Sequence, residues 1–465
     1  MTSLERLFNP RAMAVIGATS KAARVGRIVF ETLLRSGRPV YPVNPSETMI
    51  LGHKAYNTVD ALPDNIDMAV IAVNARRVVE VVEACAGRHI PFLIPVAGGF
   101  GETGREGSEL EKRLQQIIKN SGSRILGPNT VGIFAPREKI DTIFVEHGDR
   151  ALSLGGGVAF ISQSGSVGVE ALGIESNLGF GLRAFVGLGN KIDLDEVDFM
   201  NYFRTDDKTN CVALYVESLN NGRKFLEAAG NISKKKPIVV LKAGRSDAAA
   251  EAIISHTGKL SGTDMVVSGA FRQHGIQRVY DEEQLCDAAR VLSTVHLPQG
   301  NRLAIMSPAG GYGVMAADDV ETLDNGSPVA MAKLSDKTVS AIRSVTPVFA
   351  SSHNPVDLTA NATDDMTVEV LKLLLADDGV DIVLCIALFA PSMISDGLIR
   401  RIAEIVTDAT KPVVVVTQFG PFTDGHISRF YANGVIGFPS VVRGVRAVRW
   451  LVERAQIKTR WEKVS

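Results

Sequence analysis

Cysteine is scarce, and the four present (Cys85, Cys211, Cys286 and Cys385) lie far apart. No CxxC pair and no Cys/His spacing supports zinc or a redox couple, so reduced buried thiols are expected and a metal is not. Charge of one sign is also lacking: 50 Lys and Arg face 51 Asp and Glu, a net charge of -1. That excludes a global attraction to nucleic acid or to an anionic membrane. No apolar run approaches the ~18 residues needed to span a bilayer. The opening Met-Thr-Ser-Leu-Glu-Arg carries an acid and no apolar segment, unlike a secretory signal. A cytoplasmic protein is expected. A Walker A motif is missing as well, so no P-loop nucleotide site is expected.

What remains is ordinary globular composition, 45% hydrophobic and 22% charged over 465 residues, enough for about three domains. Over roughly residues 1–145, short β-branched runs alternate with helical patterns, the signature of a doubly wound parallel sheet. The run Ala12 to Ile16 is apolar throughout and reads as a strand buried on both faces. Its loop, Gly17-Ala18-Thr19-Ser20-Lys21, precedes a helix whose N-terminus suits phosphate. The loop is not GxGxxG, and the second strand ends Val43-Asn44-Pro45 without the carboxylate that would hold a nicotinamide cofactor's ribose. With Lys21, Arg24 and Arg27 nearby, a more phosphorylated nucleotide such as coenzyme A fits better than NAD. A generic βα turn with solvated basic residues stays open. The stretches Pro95-Val96-Ala97-Gly98-Gly99 and Gly127-Pro128-Asn129 read as turns at the same edge of the sheet.

A second domain is expected over 150–296. The strand Val158 to Ile161 runs into Ser162-Gln163-Ser164-Gly165-Ser166 and then a helix. Hydroxyls and free amides at the positive end of a helix dipole make an oxyanion cradle. A hydrolase elbow competes, but its first glycine is missing. The strand ending Tyr215-Val216-Glu217 puts a carboxylate at the ligand edge of a parallel sheet, with a helix-capping role as the alternative. The stretch Ile253-Ile254-Ser255-His256-Thr257-Gly258 is loop composition around an imidazole. His256 is a candidate phosphoryl carrier, oriented by Glu217; a loop histidine that merely binds an anion is the plainer reading. A third domain, 300–465, opens with a strand that meets Ser307-Pro308-Ala309-Gly310-Gly311, another turn suited to phosphate. His353 lies in a polar loop and reads as structural.

The order of these motifs resembles the α subunit of nucleoside-diphosphate-forming acyl-CoA synthetases: glycine loop, Tyr-Pro-Val-Asn-Pro, Gly-Pro-Asn, Ser-Gln-Ser-Gly, strand-end Glu217, Ser-His-Thr-Gly. Succinyl-CoA synthetase is one relative. The three-domain arrangement resembles ADP-forming acetyl-CoA synthetase, and the likeness covers essentially the whole chain. It implies a Rossmann-like CoA-binding domain followed by two flavodoxin-like domains, and the activity of an acid–thiol ligase. It implies that His256 is phosphorylated, that Glu217 orients it, and that Ser162, Gln163, Ser164 and Gly165, with Gly310 and Gly311, hold phosphate. It places Gly17, Ser20, Lys21, Val25, Val43, Asn44, Pro45, Val73 and Pro95 around coenzyme A. It further implies ATP/ADP with Mg2+ on a separate ATP-grasp β subunit, in an α2β2 assembly, acting on a small carboxylic acid. Two departures stand out. Gly-Pro-Asn-Thr-Val-Gly replaces the succinate enzyme's Gly-Pro-Asn-Cys-Pro-Gly, and Ser-His-Thr-Gly replaces Gly-His-Ala-Gly, so succinate is not carried over. A non-catalytic CoA-binding regulatory subunit and an NAD-dependent oxidoreductase are the rival classes.

Overall fold

The computed structural model describes residues 4–147, 156–178, 181–246, 248–249, 264–323 and 327–464. The chain divides into two compact units: Met1–Gly173 with Gly181–Leu285, and Ile174–Phe180 with Cys286–Ser465. Three main sheets lie within them.

The first sheet is parallel throughout, in the order Val40–Val43, Met13–Ile16, Met68–Ile71, Phe92–Pro95, Arg124–Ile125. Its strands are buried on both faces, as their unbroken apolar runs require. The helices Val25–Leu34, Ala75–Gly87 and Arg105–Lys119 connect them. Strand Met13–Ile16 pairs with the next strand in sequence on one side and with Met68–Ile71 on the other. The strand order therefore reverses there, and a ligand crevice opens at such a reversal.

Asp67 fixes the register of this centre. Its buried carboxylate accepts from the Arg11 backbone N–H, Nε and Nη2, each at 2.8 Å. Burial alone would raise its pKa; the bonds from Arg11 outweigh that and hold it below the usual carboxylate range. A depressed carboxylate stabilises the fold above its unfolded pKa, and the effect is lost as pH falls through the folded value. Asp67→Asn is expected to lower stability at pH 7 by about 1–3 kcal/mol. The gap to wild type should close on acidification through the depressed pKa, as denaturant melts at stepped pH would show.

The second sheet runs Gln277–Val279, Ile238–Lys242, Cys211–Val216, Val158–Ser162, Leu182–Gly187, Ile133–Ala135, Ile140–Asp141. Its first five strands are parallel and its last two antiparallel. Residues 133–141, grouped with the first domain by sequence, thus hydrogen-bond to the second sheet. The two sheets share one unit and one core. Phe8 stacks on Tyr202 at 5.1 Å and meets Phe199 edge-on at 6.2 Å. Arg183, 2% exposed, bonds Glu138 at 3.0 Å and Asp206 at 2.8 Å. Arg183→Leu would leave two carboxylates without their shared partner, at a cost of about 3–5 kcal/mol. Thermal melting checks it.

The second unit holds the parallel sheet Ala330–Met331, Arg302–Ser307, Ile382–Ile386, Val413–Val416, Gly437–Phe438, with Val356–Asp357 also paired to Arg302–Ser307. The helices Gly310–Thr322, Asp364–Ala376, Gly397–Asp408 and Val441–Val464 belong to this unit. The helix Glu282–Thr294 runs across the division of the units, and within the second Asp287 bonds Arg443 at 2.6 and 2.8 Å. All four cysteines are buried. Burial pushes the Cys85 and Cys385 thiols up to about 12, so neither is a thiolate at neutral pH. No described helix is long and apolar enough to cross a membrane.

Candidate active site

At the carboxyl edge of the second sheet, loops from several strands meet around a cavity of about 680 Å³. Strand Val158–Ser162 ends in the turn Gln163-Ser164, and the helix Gly165–Leu178 starts at once. The first-turn amides of that helix have no intrahelical acceptor. Gly165 fits because a Cβ there would lie 2.9 Å from Val131 Cγ1. At Gly168 a Cβ would lie 2.6 Å from the Phe185 ring, so the helix packs tightly on its sheet. The Ser164 and Ser166 hydroxyls are 3.1 Å apart, and Ser164 Oγ accepts from Val167 N at 3.4 Å. Ser164, Gly165 and Ser166 line the cavity with Glu217.

Two of the sequence-predicted phosphate residues also make bonds that shape the turn. Ser162 Oγ donates to the Ser164 carbonyl at 2.6 Å. Gln163 donates its backbone N–H to Tyr215 O, and its side-chain amide bridges two loops. Oε1 accepts from Glu217 N at 2.9 Å, Ser218 N at 3.1 Å and Lys191 Nζ at 3.2 Å, while Nε2 donates to Ser218 Oγ at 3.1 Å. Gln163 ties loops together at the cavity wall, and one of its two Nε2 protons is given to Ser218 Oγ.

Glu217 follows strand Cys211–Val216. Its carboxylate accepts from Tyr215 Oη at 3.2 Å, and its carbonyl from Lys242 Nζ at 2.8 Å. Burial and the neighbouring Glu217 push the Tyr215 phenol above its ordinary value. Burial, with Arg278 adding to it, lowers Lys242. His256 lies outside the described residues, so the Glu217–His256 pair is left to experiment.

The opposite wall of the cavity comes from the first sheet's loops. Asn190 Nδ2 donates to Glu102 Oε2 at 2.7 Å and Glu111 Oε1 at 2.6 Å. Burial would raise Glu102, but the bonds from Asn190, Gly99 and Phe100 keep its pKa low. Val96, Thr130, Val131 and Phe144 supply less polar lining.

The expected coenzyme residues collect at the strand reversal of the first sheet. Gly17 has φ +89, and a Cβ on it would lie 2.4 Å from Ala72 O, so only glycine fits. Val25 begins the helix after the loop, and Val43 ends the second strand, whose carbonyl accepts from Gly17 N at 2.9 Å. Asn44 Nδ2 donates to Ala18 O at 2.8 Å, and its Oδ1 accepts from Ser46 N at 2.8 Å. Pro45 follows in that turn, Val73 follows the third strand, and Pro95 ends the fourth. Lys21 is exposed, its backbone N–H on Thr19 Oγ1.

Glu47 was missed by sequence reading. It folds back three residues beyond Asn44 and accepts from Thr19 Oγ1 at 2.6 Å and Ser20 N at 3.0 Å. Those bonds from Ser20 and Thr19 lower its pKa. The second strand does end without an acid, yet a carboxylate still closes the glycine loop.

Gly310 and Gly311 begin the helix Gly310–Thr322, in the second unit. A Cβ on Gly310 would lie 2.7 Å from Asp357 Oδ2, so the Asp357 carboxylate packs close beside this helix start. His353 is exposed. Among the described residues no group of three or more His, Cys, Asp or Glu is placed to hold a metal.

Residues 11–136 match the CoA binding domain family, and residues 155–292 match the succinyl-CoA ligase like flavodoxin domain family. The α subunit of an ADP-forming acetate–CoA ligase II of Pyrococcus furiosus is 35% identical over 97% of this chain and 98% of its own. Its isozyme I counterpart is 36% identical, covering 98% and 99%. Among solved structures, the dinucleotide forming acetyl-coenzyme A synthetase 1 of Ca. Korarchaeum cryptofilum, in complex with phosphate and ADP, superposes with a TM-score of 0.92. It is 32% identical and covers 100% of this chain and 99% of that one.

Fold and site thus define an acid–thiol ligase built on a CoA-binding domain and a succinyl-CoA ligase like domain. The chain belongs to the family of ADP-forming acetate–CoA ligase α subunits. Both Pyrococcus furiosus relatives are named as α subunits.

Proposed function

We propose that the chain catalyses acid + CoA + ATP ⇌ acyl-CoA + ADP + phosphate through an acyl phosphate and a phosphohistidine. In the thioester-consuming direction, a phosphate oxygen attacks the thioester carbonyl. The C–S bond breaks, giving acyl phosphate and CoA thiolate, which takes up a proton. A His256 ring nitrogen then attacks phosphorus, and the P–O bond to the acyl group breaks to release the carboxylate. Glu217 orients the imidazole and supports its positive charge. The phosphoryl group next passes to ADP on the partner.

The observation that carries this reading is one cavity shared by the Glu217 carboxylate and the open helix start at Ser164–Ser166. A dianion in transfer needs fixed dipoles aimed at it, and an open helix N-terminus supplies them. Ser164, Gly165 and Ser166 form the cradle, and Ser162 and Gln163 shape it. Coenzyme A is placed against Gly17, Ser20, Lys21, Val25, Val43, Asn44, Pro45, Val73 and Pro95. The nucleotide, with Mg2+, is assigned to an ATP-grasp β subunit in an α2β2 assembly in the cytoplasm. The regulatory alternative has nothing in the relatives' names to favour it.

The test is to mix the chain with an ATP-grasp partner, ATP, CoA and a panel of carboxylic acids, and to measure ADP and thioester. Equal yields of both, dependent on acid and CoA, are expected; ADP without thioester would refute the reading. Gly17→Ala should weaken CoA binding at least tenfold by calorimetry, because the added methyl collides with the Ala72 carbonyl.

A further inference from the structure

Lys191, in the loop after strand Leu182–Gly187, and Glu196, which begins the helix Glu196–Thr205, form an ion pair at 3.0 Å with both side chains 1% exposed. Lys191 has φ +55, a left-handed conformation uncommon for any residue but glycine. Its three ammonium protons have three acceptors: Glu196 Oε2 at 3.0 Å, Ser218 O at 2.7 Å and Gln163 Oε1 at 3.2 Å. Gln163 Oε1 also receives the Glu217 and Ser218 backbone N–H groups. Lys191 therefore joins the loops that follow three adjacent strands, and the chain leaving Glu217 hangs from that junction.

The pair is a poor way to stabilise a fold. Glu196 Oε1 is buried with no hydrogen-bond partner among the described residues. Ion pairs cut off from water can often be replaced by apolar side chains at no loss, or with a gain. Their retained value is then geometric.

We propose that Lys191 is a positioning residue for phosphoryl transfer. It clamps Gln163, which fixes the Glu217–Ser218 backbone and hence the aim of the Glu217 carboxylate toward the helix start at Gly165. The three ammonium protons of Lys191 go to Glu196, Ser218 and Gln163, so its part is to hold the loops in place. Sub-ångström errors in such an aim are costly, since a misplacement of 1 Å reduces rates by about 10²-fold. The inference rests on the phosphohistidine reading above.

The experiment follows phosphoenzyme formation from γ-labelled ATP with the partner subunit, in wild type and in the double variant Lys191→Met/Glu196→Leu. The expected result is an equal or higher melting temperature, unchanged CoA affinity, and a phosphorylation rate at least tenfold lower at saturating ATP. A folded double variant that labels at the wild-type rate would overturn the inference. Should the double variant fail to fold, Gln163→Leu, which leaves the ion pair in place, must show the same slowing, and a wild-type rate there would overturn it equally. Wild type that labels normally beside unimpaired variants sinks the Lys191 role alone. Wild type that never labels sinks the phosphohistidine reading and this inference with it.

Discussion

Replacing His256 with asparagine should abolish thioester synthesis, lowering turnover by at least ~10⁴-fold, because removing a covalent carrier leaves no second nucleophile on the route. Binding of coenzyme A should persist. Its expected residues lie around Gly17 and Asn44, at the strand reversal of the first sheet, and His256 belongs to a different stretch of chain. The two readouts are therefore separable: steady-state turnover with the partner subunit, and calorimetric titration of CoA alone. Loss of both would point to a folding defect. Retention of turnover would remove the carrier.

Glu217→Gln should have the next largest effect, a fall in phosphotransfer of up to about 10⁴-fold, the loss seen when a carboxylate that fixes a catalytic imidazole's tautomer is made neutral. The amide keeps the volume and still accepts the Tyr215 hydroxyl bond. The backbone bonds that place residue 217, to Gln163 and Lys242, do not involve its side chain. Melting temperature should thus stay near wild type while labelling of the protein by ATP slows. Labelling at the wild-type rate would leave Glu217 with no part in the transfer.

Much of this was legible in the sequence, and the physical reasons are local. Strands such as Met13–Ile16 and Val413–Val416 are unbroken apolar runs, because both faces of a parallel sheet are covered. Gly17 announced itself as the turn of a βα unit, and its positive φ and closeness to Ala72 explain the residue type. Other features had weak local signals. The strands Ile133–Ala135 and Ile140–Asp141 are three and two residues long, too short for an alternation to register. Ile133–Ala135 pairs with Leu182–Gly187 and Ile140–Asp141 pairs with Ile133–Ala135, which draws residues 133–141 onto the second sheet.

The helix Glu196–Thr205 did carry a readable start. Asp195 accepts from Val197 N, and Asp198 reaches back to the Asp195 N–H, completing a capping box. A run of acids reads equally well as solvated surface, so the local pattern alone does not decide it. Glu47 and Lys191 are harder. Each acts through a partner 27 or 28 residues away, Ser20 in one case and Gln163 in the other. Nothing in the local pattern marks a carboxylate that folds back on a glycine loop, or a lysine that clamps a glutamine. Gln163 shows a second role that local pattern does not mark. Its place in a Ser-Gln-Ser-Gly turn suggests anion contact, and only the tertiary structure shows that its Oε1 also ties the Glu217–Ser218 backbone to Lys191.

The most direct measurement is to incubate the wild-type chain with an ATP-grasp partner and γ-labelled ATP, quench in alkali, and map the labelled peptide. An acid-labile label at position 256, absent in the His256→Asn protein and chased into acyl phosphate by added acid, is the predicted result. An acid-stable label on a serine, or ATP-driven thioester formation with no protein label at any time point, would contradict the account.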